Sequence, residues 1–131
     1  MQMKKENGEK LLIFEAGNVR IVSLEDRMQW SLGRRTSKNH PDIPMVSPIV
    51  SRDHGTFVHS GGQWYFIDNP DSRNGTFYNG KKIKSPMKGK RKFVLLKEGD
   101  MLGIGENDVR MIFLTGAVLD AILCDRKSVF E

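Results

Sequence analysis

The chain has 131 residues, 38% of them hydrophobic and 28% charged. That is enough apolar material to bury the core of one domain, and it excludes a disordered or collagen-like chain. Its lone cysteine, Cys124, can form neither an internal disulfide nor a multi-cysteine zinc site, and no apolar run is long enough to cross a bilayer as a helix. The formal net charge of +5 is local. Residues 81–92 carry Lys81, Lys82, Lys84, Lys88, Lys90, Arg91 and Lys92 with no acid, and subtracting these seven from the 21 basic residues leaves 14 against 16 acids. Such a cluster is expected to be a solvated and partly disordered loop that draws anions by its charge.

In chain order, residues 1–10 read as an N-terminal extension, 11–115 as the domain and 116–131 as a C-terminal segment. The first apolar run, Leu11–Phe14, is stopped by Glu15, which does not suit a secretory leader; the expected setting is the cytoplasm. Val19–Leu24 and Met28–Leu32 follow, then the long stretch Arg35–Pro48, which holds three prolines and no predicted element. Gly55–His59 and Gln63–Ile67 are separated by Gly61-Gly62. Trp64 and Phe66 share one face of the second run and Tyr65 and Ile67 the other, the alternation of a half-buried strand. Thr76–Tyr78 sits between Asn74-Gly75 and Asn79-Gly80, two dipeptides suited to type I′ turns. Phe93–Leu96, Met101–Ile104 and Val109–Leu114 complete the series. Ala117–Cys124 is the best helical candidate, though short enough to be a strand, and is expected to pack on the domain with Cys124 buried. Trp30 and Trp64 are expected in the core. Many short strands with regular turns predict an all-β sandwich or barrel.

The chemistry lies in polar residues beside strand ends. Arg34 follows Gly33, Ser51-Arg52-Asp53-His54 follows Pro48-Ile49-Val50, and Ser72-Arg73-Asn74-Gly75-Thr76 follows the Trp64–Ile67 run. In a sandwich, loops distant in sequence can meet at one end. Brought together, these would present three guanidiniums, two hydroxyls and an amide, a donor set suited to a tetrahedral oxyanion. No base, carboxylate pair or metal-ligand set accompanies them. The expectation is a site that binds without reacting, needing neither metal nor cofactor.

At these residues the sequence resembles the forkhead-associated (FHA) domain. The matching elements are Gly33-Arg34, Ser51-Arg52-Asp53-His54, Asp68 with Asp71-Ser72-Arg73-Asn74-Gly75-Thr76, Asn79-Gly80, and the late segment Leu96–Gly105. The resemblance implies a β-sandwich of about eleven strands with its ligand site in the loops at one end, and a reader of phosphothreonine-containing segments in kinase and phosphatase signalling. It implies that Arg34, Ser51 and Arg52 hold the phosphate and that Arg73 and Asn74 hold the peptide backbone. His54, with Gly33, Gly75 and Thr76, would support the site from within. The expected partner is a phosphothreonine protein or peptide, with no membrane insertion, and the domain is expected to be a module of a larger protein or complex.

Other readings compete. The same fold could bind unphosphorylated protein surfaces, and Lys81–Lys92 could bind nucleic acid weakly, although no aromatic residue within the cluster offers base stacking. Gly75–Lys82 nearly matches a P-loop, but Lys82 stands where Ser or Thr should hold magnesium and the context is a hairpin. Gly103-Ile104-Gly105 lacks the third glycine and the helix of a dinucleotide fingerprint. Asn74-Gly75-Thr76 is a glycosylation sequon without a secretory leader.

Overall fold

The structure is a computed structural model that describes residues 8–85, 87–105 and 108–130, with side chains in the C-terminal helix to Cys124. Eleven strands and one helix follow in order. They are β1 (Glu9–Glu15), β2 (Asn18–Ser23), β3 (Gln29–Arg34), β4 (Ile43–Met45), β5 (Gly55–Ser60), β6 (Gln63–Asp68), β7 (Phe77–Tyr78), β8 (Lys81–Lys82), β9 (Lys92–Leu96), β10 (Met101–Ile104), β11 (Val109–Thr115) and α1 (Gly116–Phe130). One sheet has the order β2-β1-β11-β10-β7-β8 and the other β4-β3-β5-β6-β9. The paired strands are antiparallel apart from β3 and β4. This is the expected all-β sandwich.

Alternation builds the core. Leu11 and Ile13 of β1, Leu32 of β3, Phe57 of β5, Phe66 of β6, and Leu102 and Ile104 of β10 are buried between the sheets. The Phe57 and Phe66 rings meet at 5.1 Å, tilted by 57°, a favourable aromatic geometry. Trp30 and Trp64 are buried as expected, while Tyr65 and Ile67 are half-buried on the opposite face. Two tight hairpins use φ > 0 as the sequence suggests: Gly61 (60°) and Gly62 (80°) between β5 and β6, and Asn79 (49°) and Gly80 (89°) between β7 and β8.

Four expectations are corrected. Arg35–Pro48 contains β4, which pairs through Leu32↔Ile43 and Arg34↔Met45; Pro44 fits because β4 is an edge strand whose proline need not donate to a second neighbour. Asn74-Gly75 is not a type I′ turn, because only Gly75 has positive φ (70°). Lys81–Lys92 is not wholly loop: its ends enter β8 and β9, and Ile83 is buried while its N–H donates to the Thr76 carbonyl at 2.8 Å. Cys124 is exposed. The Thr115 hydroxyl caps α1 by accepting from Val118 N–H at 3.3 Å, and Leu119 is buried. The next turn stands clear, with Ile122 and Leu123 about half exposed. Residues 9 and 10 belong to β1, so the proposed N-terminal extension lies mostly outside the described residues. No described helix is long and apolar enough to cross a membrane.

Candidate functional site

The C-terminal ends of β3 and β6 and the N-terminal ends of β5 and β9 lie at one end of the five-stranded sheet, as the pairings Leu32↔Gly55, Gly55↔Asp68 and Asp68↔Lys92 require. The loops leaving these strands therefore meet. Gly33 makes the meeting close: a Cβ there would collide with the Arg52 carbonyl. Arg34 N–H donates to the Ser51 carbonyl at 3.0 Å. Its Nη1 donates to the carbonyls of Val50 (2.7 Å) and Pro48 (3.3 Å). A guanidinium has five N–H donors, so Nε and Nη2 are left without a partner among the described residues.

Ser51 is held from two sides. Its hydroxyl oxygen accepts from Arg73 N–H at 2.8 Å, which leaves the hydroxyl proton available to an acceptor. Its own N–H donates to His54 Nδ1 at 3.0 Å. With Nδ1 accepting, the ring must donate from Nε2, and it does so to the Gly75 carbonyl at 3.0 Å. His54 thus spans the Ser51 loop and the Asn74-Gly75 turn as a neutral, fully buried imidazole. Burial pushes its pKa down, against the opposing pulls of the Gly75 carbonyl and Asp53.

The third loop is fixed by Asn74, whose Nδ2 donates to the Ile49 carbonyl at 2.8 Å, leaving its Oδ1 open among the described residues. Thr76 is fully buried, and its hydroxyl donates to Asp68 Oδ1 at 2.7 Å. Burial raises the Asp68 pKa, offset in part by that hydrogen bond and by the charges of Arg91 and Lys82. Arg52 and Arg73 are exposed, and no hydrogen bond holds either side chain among the described residues. Hydrogen bonds thus bring Arg34, Ser51, Arg73 and Asn74 into one rim, braced beneath by His54. Arg52 adjoins it through its main chain.

Sequence reasoning missed three positioning residues. Asn39 Nδ2 bridges the carbonyls of Arg34 (2.8 Å) and Arg52 (3.0 Å). Glu15, in the other sheet, accepts from Val46 N–H (2.9 Å) and Ser47 N–H (2.8 Å) and so fixes the approach to Ser51. Asn69 ties the turn after β6 to the Asp53 carbonyl at 2.8 Å. Nothing in their local sequence marks these bonds, because each joins segments that are not adjacent in the chain.

The two packed sheets, with a cationic, hydroxyl-bearing rim of loops at one end, define a β-sandwich class of domain. The FHA-domain family model matches residues 30–105, more than half of the chain, and the chain belongs to that family. FHA domains are generally phosphopeptide-binding modules, typically without catalysis. The chain is 36% identical over 81 residues to the E3 ubiquitin-protein ligase DMA2 of Saccharomyces cerevisiae (strain YJM789), a match covering 61% of this chain and 15% of the ligase. The chain therefore spans less than a sixth of that relative's length. Full-length yeast Pml1p superposes with a TM-score of 0.66 at 24% identity, over 82% of this chain and 81% of that one. Mycobacterium tuberculosis EmbR, solved with a low-affinity phosphopeptide, gives a TM-score of 0.59 at 23% identity, over 81% of this chain and 24% of EmbR. These two likenesses concern the fold.

Proposed function

We propose that this domain binds phosphothreonine-containing protein segments reversibly and performs no chemistry on them. Arg34 and Ser51, helped by Arg52, hold the phosphate, and Arg73 and Asn74 hold the peptide backbone. The observation that carries this reading is the bonding of Ser51. Its oxygen is occupied by Arg73 N–H while its proton remains free, and Arg34 is braced on the neighbouring Val50 carbonyl with its remaining donors open. A phosphate dianion only accepts hydrogen bonds, so it complements this set. Asn74 Oδ1 is an acceptor for a peptide N–H. Each charge-assisted bond contributes roughly 1.5–3 kcal/mol net, and ordering of the ligand offsets part of that. Moderate affinity suits a module that brings a larger protein to partners switched by a kinase and a phosphatase.

The test is a phosphothreonine peptide library titrated against the unphosphorylated and phosphoserine versions of each peptide. A preference for phosphothreonine supports the reading; equal affinity for threonine and phosphothreonine would replace it with phosphate-independent protein binding. Arg34→Ala is expected to weaken phosphopeptide binding by about 100-fold or more while costing the fold about 1 kcal/mol from the lost carbonyl contacts. A collapse of the thermal transition in that variant would make the arginine a structural strut and leave the binding role unsupported.

A further inference from the structure

The basic cluster, expected to be a solvated loop, adjoins the rim. Arg91 Nη2 pairs with Asp53 Oδ2 at 3.1 Å, tying one end of the cluster to the Ser51–His54 loop. At the other end the Lys82 side chain crosses Gly75, where an added Cβ would lie 2.6 Å from Lys82 Cε. Between these anchors Lys82, Lys84 and Lys88 line a cavity of about 440 Å³ whose lining also includes Ser72 and Gly75. None of the three lysines forms an ion pair among the described residues. The cavity also has two acids: Asp68, whose carboxylate accepts from the Thr76 hydroxyl, and exposed Asp71. The Ser72 hydroxyl oxygen is buried and has no hydrogen-bond partner, an unusual state for a buried hydroxyl. That oxygen is closed off from solvent, so the lysines alone offer donors to a ligand in the cavity, and three unpaired ammonium groups around one cavity have the chemistry of an anion site.

The cavity and the rim share a wall. Ser72 and Gly75 line the cavity, while Arg73 N–H and the Asn74 amide, from the same turn, bond Ser51 and Ile49 on the rim. The separation is on the order of one chain's width, which an extended peptide crosses in about two to four residues at ~3.3 Å each. We propose that Lys82, Lys84 and Lys88 receive a second anionic group, phosphate or carboxylate, carried by the same segment whose phosphothreonine occupies the rim. The inference rests on the proposed function and narrows its ligand to doubly acidic segments. Once the first phosphate is held, binding of the second is intramolecular, so a modest local attraction becomes a measurable gain.

The experiment titrates the 131-residue chain with three peptide sets: phosphothreonine alone, phosphothreonine plus phosphoserine two to six residues away on either side, and phosphothreonine plus paired aspartates at those places. The best doubly phosphorylated peptide is expected to bind about tenfold more tightly than the singly phosphorylated one at low salt, with the gain shrinking as salt rises. Lys84→Ala/Lys88→Ala should erase that gain and leave the single-phosphate affinity within about twofold. Lys97→Glu, which removes the same charge at the opposite end of β9, should keep it. A gain from paired aspartates assigns carboxylates to the cavity as well; its absence restricts the cavity to phosphate, and either result supports the inference. Normal single-phosphate binding with no gain overturns it. So does a gain that survives the double lysine variant, or one that Lys97→Glu abolishes equally. Single-stranded nucleic acid bound through Lys84 and Lys88, with no gain from a second phosphate, would hand the cavity to a different ligand and overturn the proposal. Failure of the single phosphothreonine to outbind plain threonine would instead bring down the proposed function itself.

Discussion

The dipeptide Asn-Gly occurs twice within seven residues, and the two copies do different things. Asn79-Gly80 closes the β7–β8 hairpin with both residues at positive φ. The Asn79 side chain stays local to that corner: Oδ1 accepts from Met101 N–H at 2.8 Å and Nδ2 donates to Asp100 Oδ1 at 3.0 Å. In Asn74-Gly75 only the glycine is left-handed. The Asn74 amide reaches the Ile49 carbonyl, and the Gly75 carbonyl takes the His54 ring. Asn and Gly permit a left-handed turn, but partners from elsewhere in the fold decide whether it forms. Where neighbouring strands bracket the dipeptide it becomes a hairpin; where two loops need joining it becomes a strut of the site.

The largest expected contrast comes from removing each asparagine side chain. Asn74→Ala should weaken phosphopeptide binding by about 10- to 100-fold, the equivalent of roughly 1.4–2.7 kcal/mol, through loss of its acceptor and relaxation of the loop. Asn79→Ala should leave affinity unchanged and cost the fold about 1–3 kcal/mol, because two side-chain hydrogen bonds go and alanine resists the positive φ. Calorimetric titration and urea midpoints on both variants read the two effects separately. Equal losses of affinity would mean the turns are not functionally distinct.

A smaller contrast separates the glycines. Around Gly80 an added Cβ meets nothing within 4 Å, so Gly80→Ala carries backbone strain alone, about 1–2 kcal/mol given its φ of 89°. Gly75→Ala carries similar strain at φ 70° and also pushes on Lys82 Cε. That atom sits near the end of a flexible side chain that can swing away, so the two unfolding free energies from urea titration should agree to within about 0.5 kcal/mol. A much larger cost at Gly75 would show Lys82 to be rigidly placed.

The same contrast explains what the sequence could reveal. The Gly61-Gly62 and Asn79-Gly80 hairpins, and the inward Trp64 and Phe66, follow from local rules of turn chemistry and period-two burial. The rim residues were legible because Gly33-Arg34, Ser51–His54 and Asp71–Thr76 are short contiguous motifs. The wiring among them was not. Glu15 acts on Val46 and Ser47 from the other sheet, and Asn39 acts between two loops. β4 was hidden because Pro41, Pro44 and Pro48 read as loop, and its three residues are strand only through parallel pairing with β3. Cys124 misled because burial of an apolar helix residue depends on how far the helix runs beside the sheet.

Acid should undo the two turns in separate windows. His54 accepts from Ser51 N–H through Nδ1, so a proton on that nitrogen breaks the bond. Burial holds its folded pKa below the ordinary 6.5. As pH falls below about 6.5 the unfolded chain takes up a proton that the folded one refuses, so stability declines from there down to the folded pKa. The Asn79 turn hangs on Asp100, which also accepts from Tyr78 OH at 2.9 Å and Lys97 N–H at 2.7 Å. Burial opposes its charge, but hydrogen bonds from Asn79, Lys97 and Tyr78 outweigh it and hold the carboxyl below the usual 3.8. Its contribution is complete above 3.8 and is lost as pH falls through the lower folded value. Between pH 6.5 and the folded pKa of His54, urea midpoints should therefore fall while the Ser51 amide stays still; by NMR that amide should move only as pH falls through the folded His54 pKa, and Asn79 and Met101 only as pH falls through the folded Asp100 value below 3.8. Simultaneous movement of all three would show the two turns to be one cooperative unit.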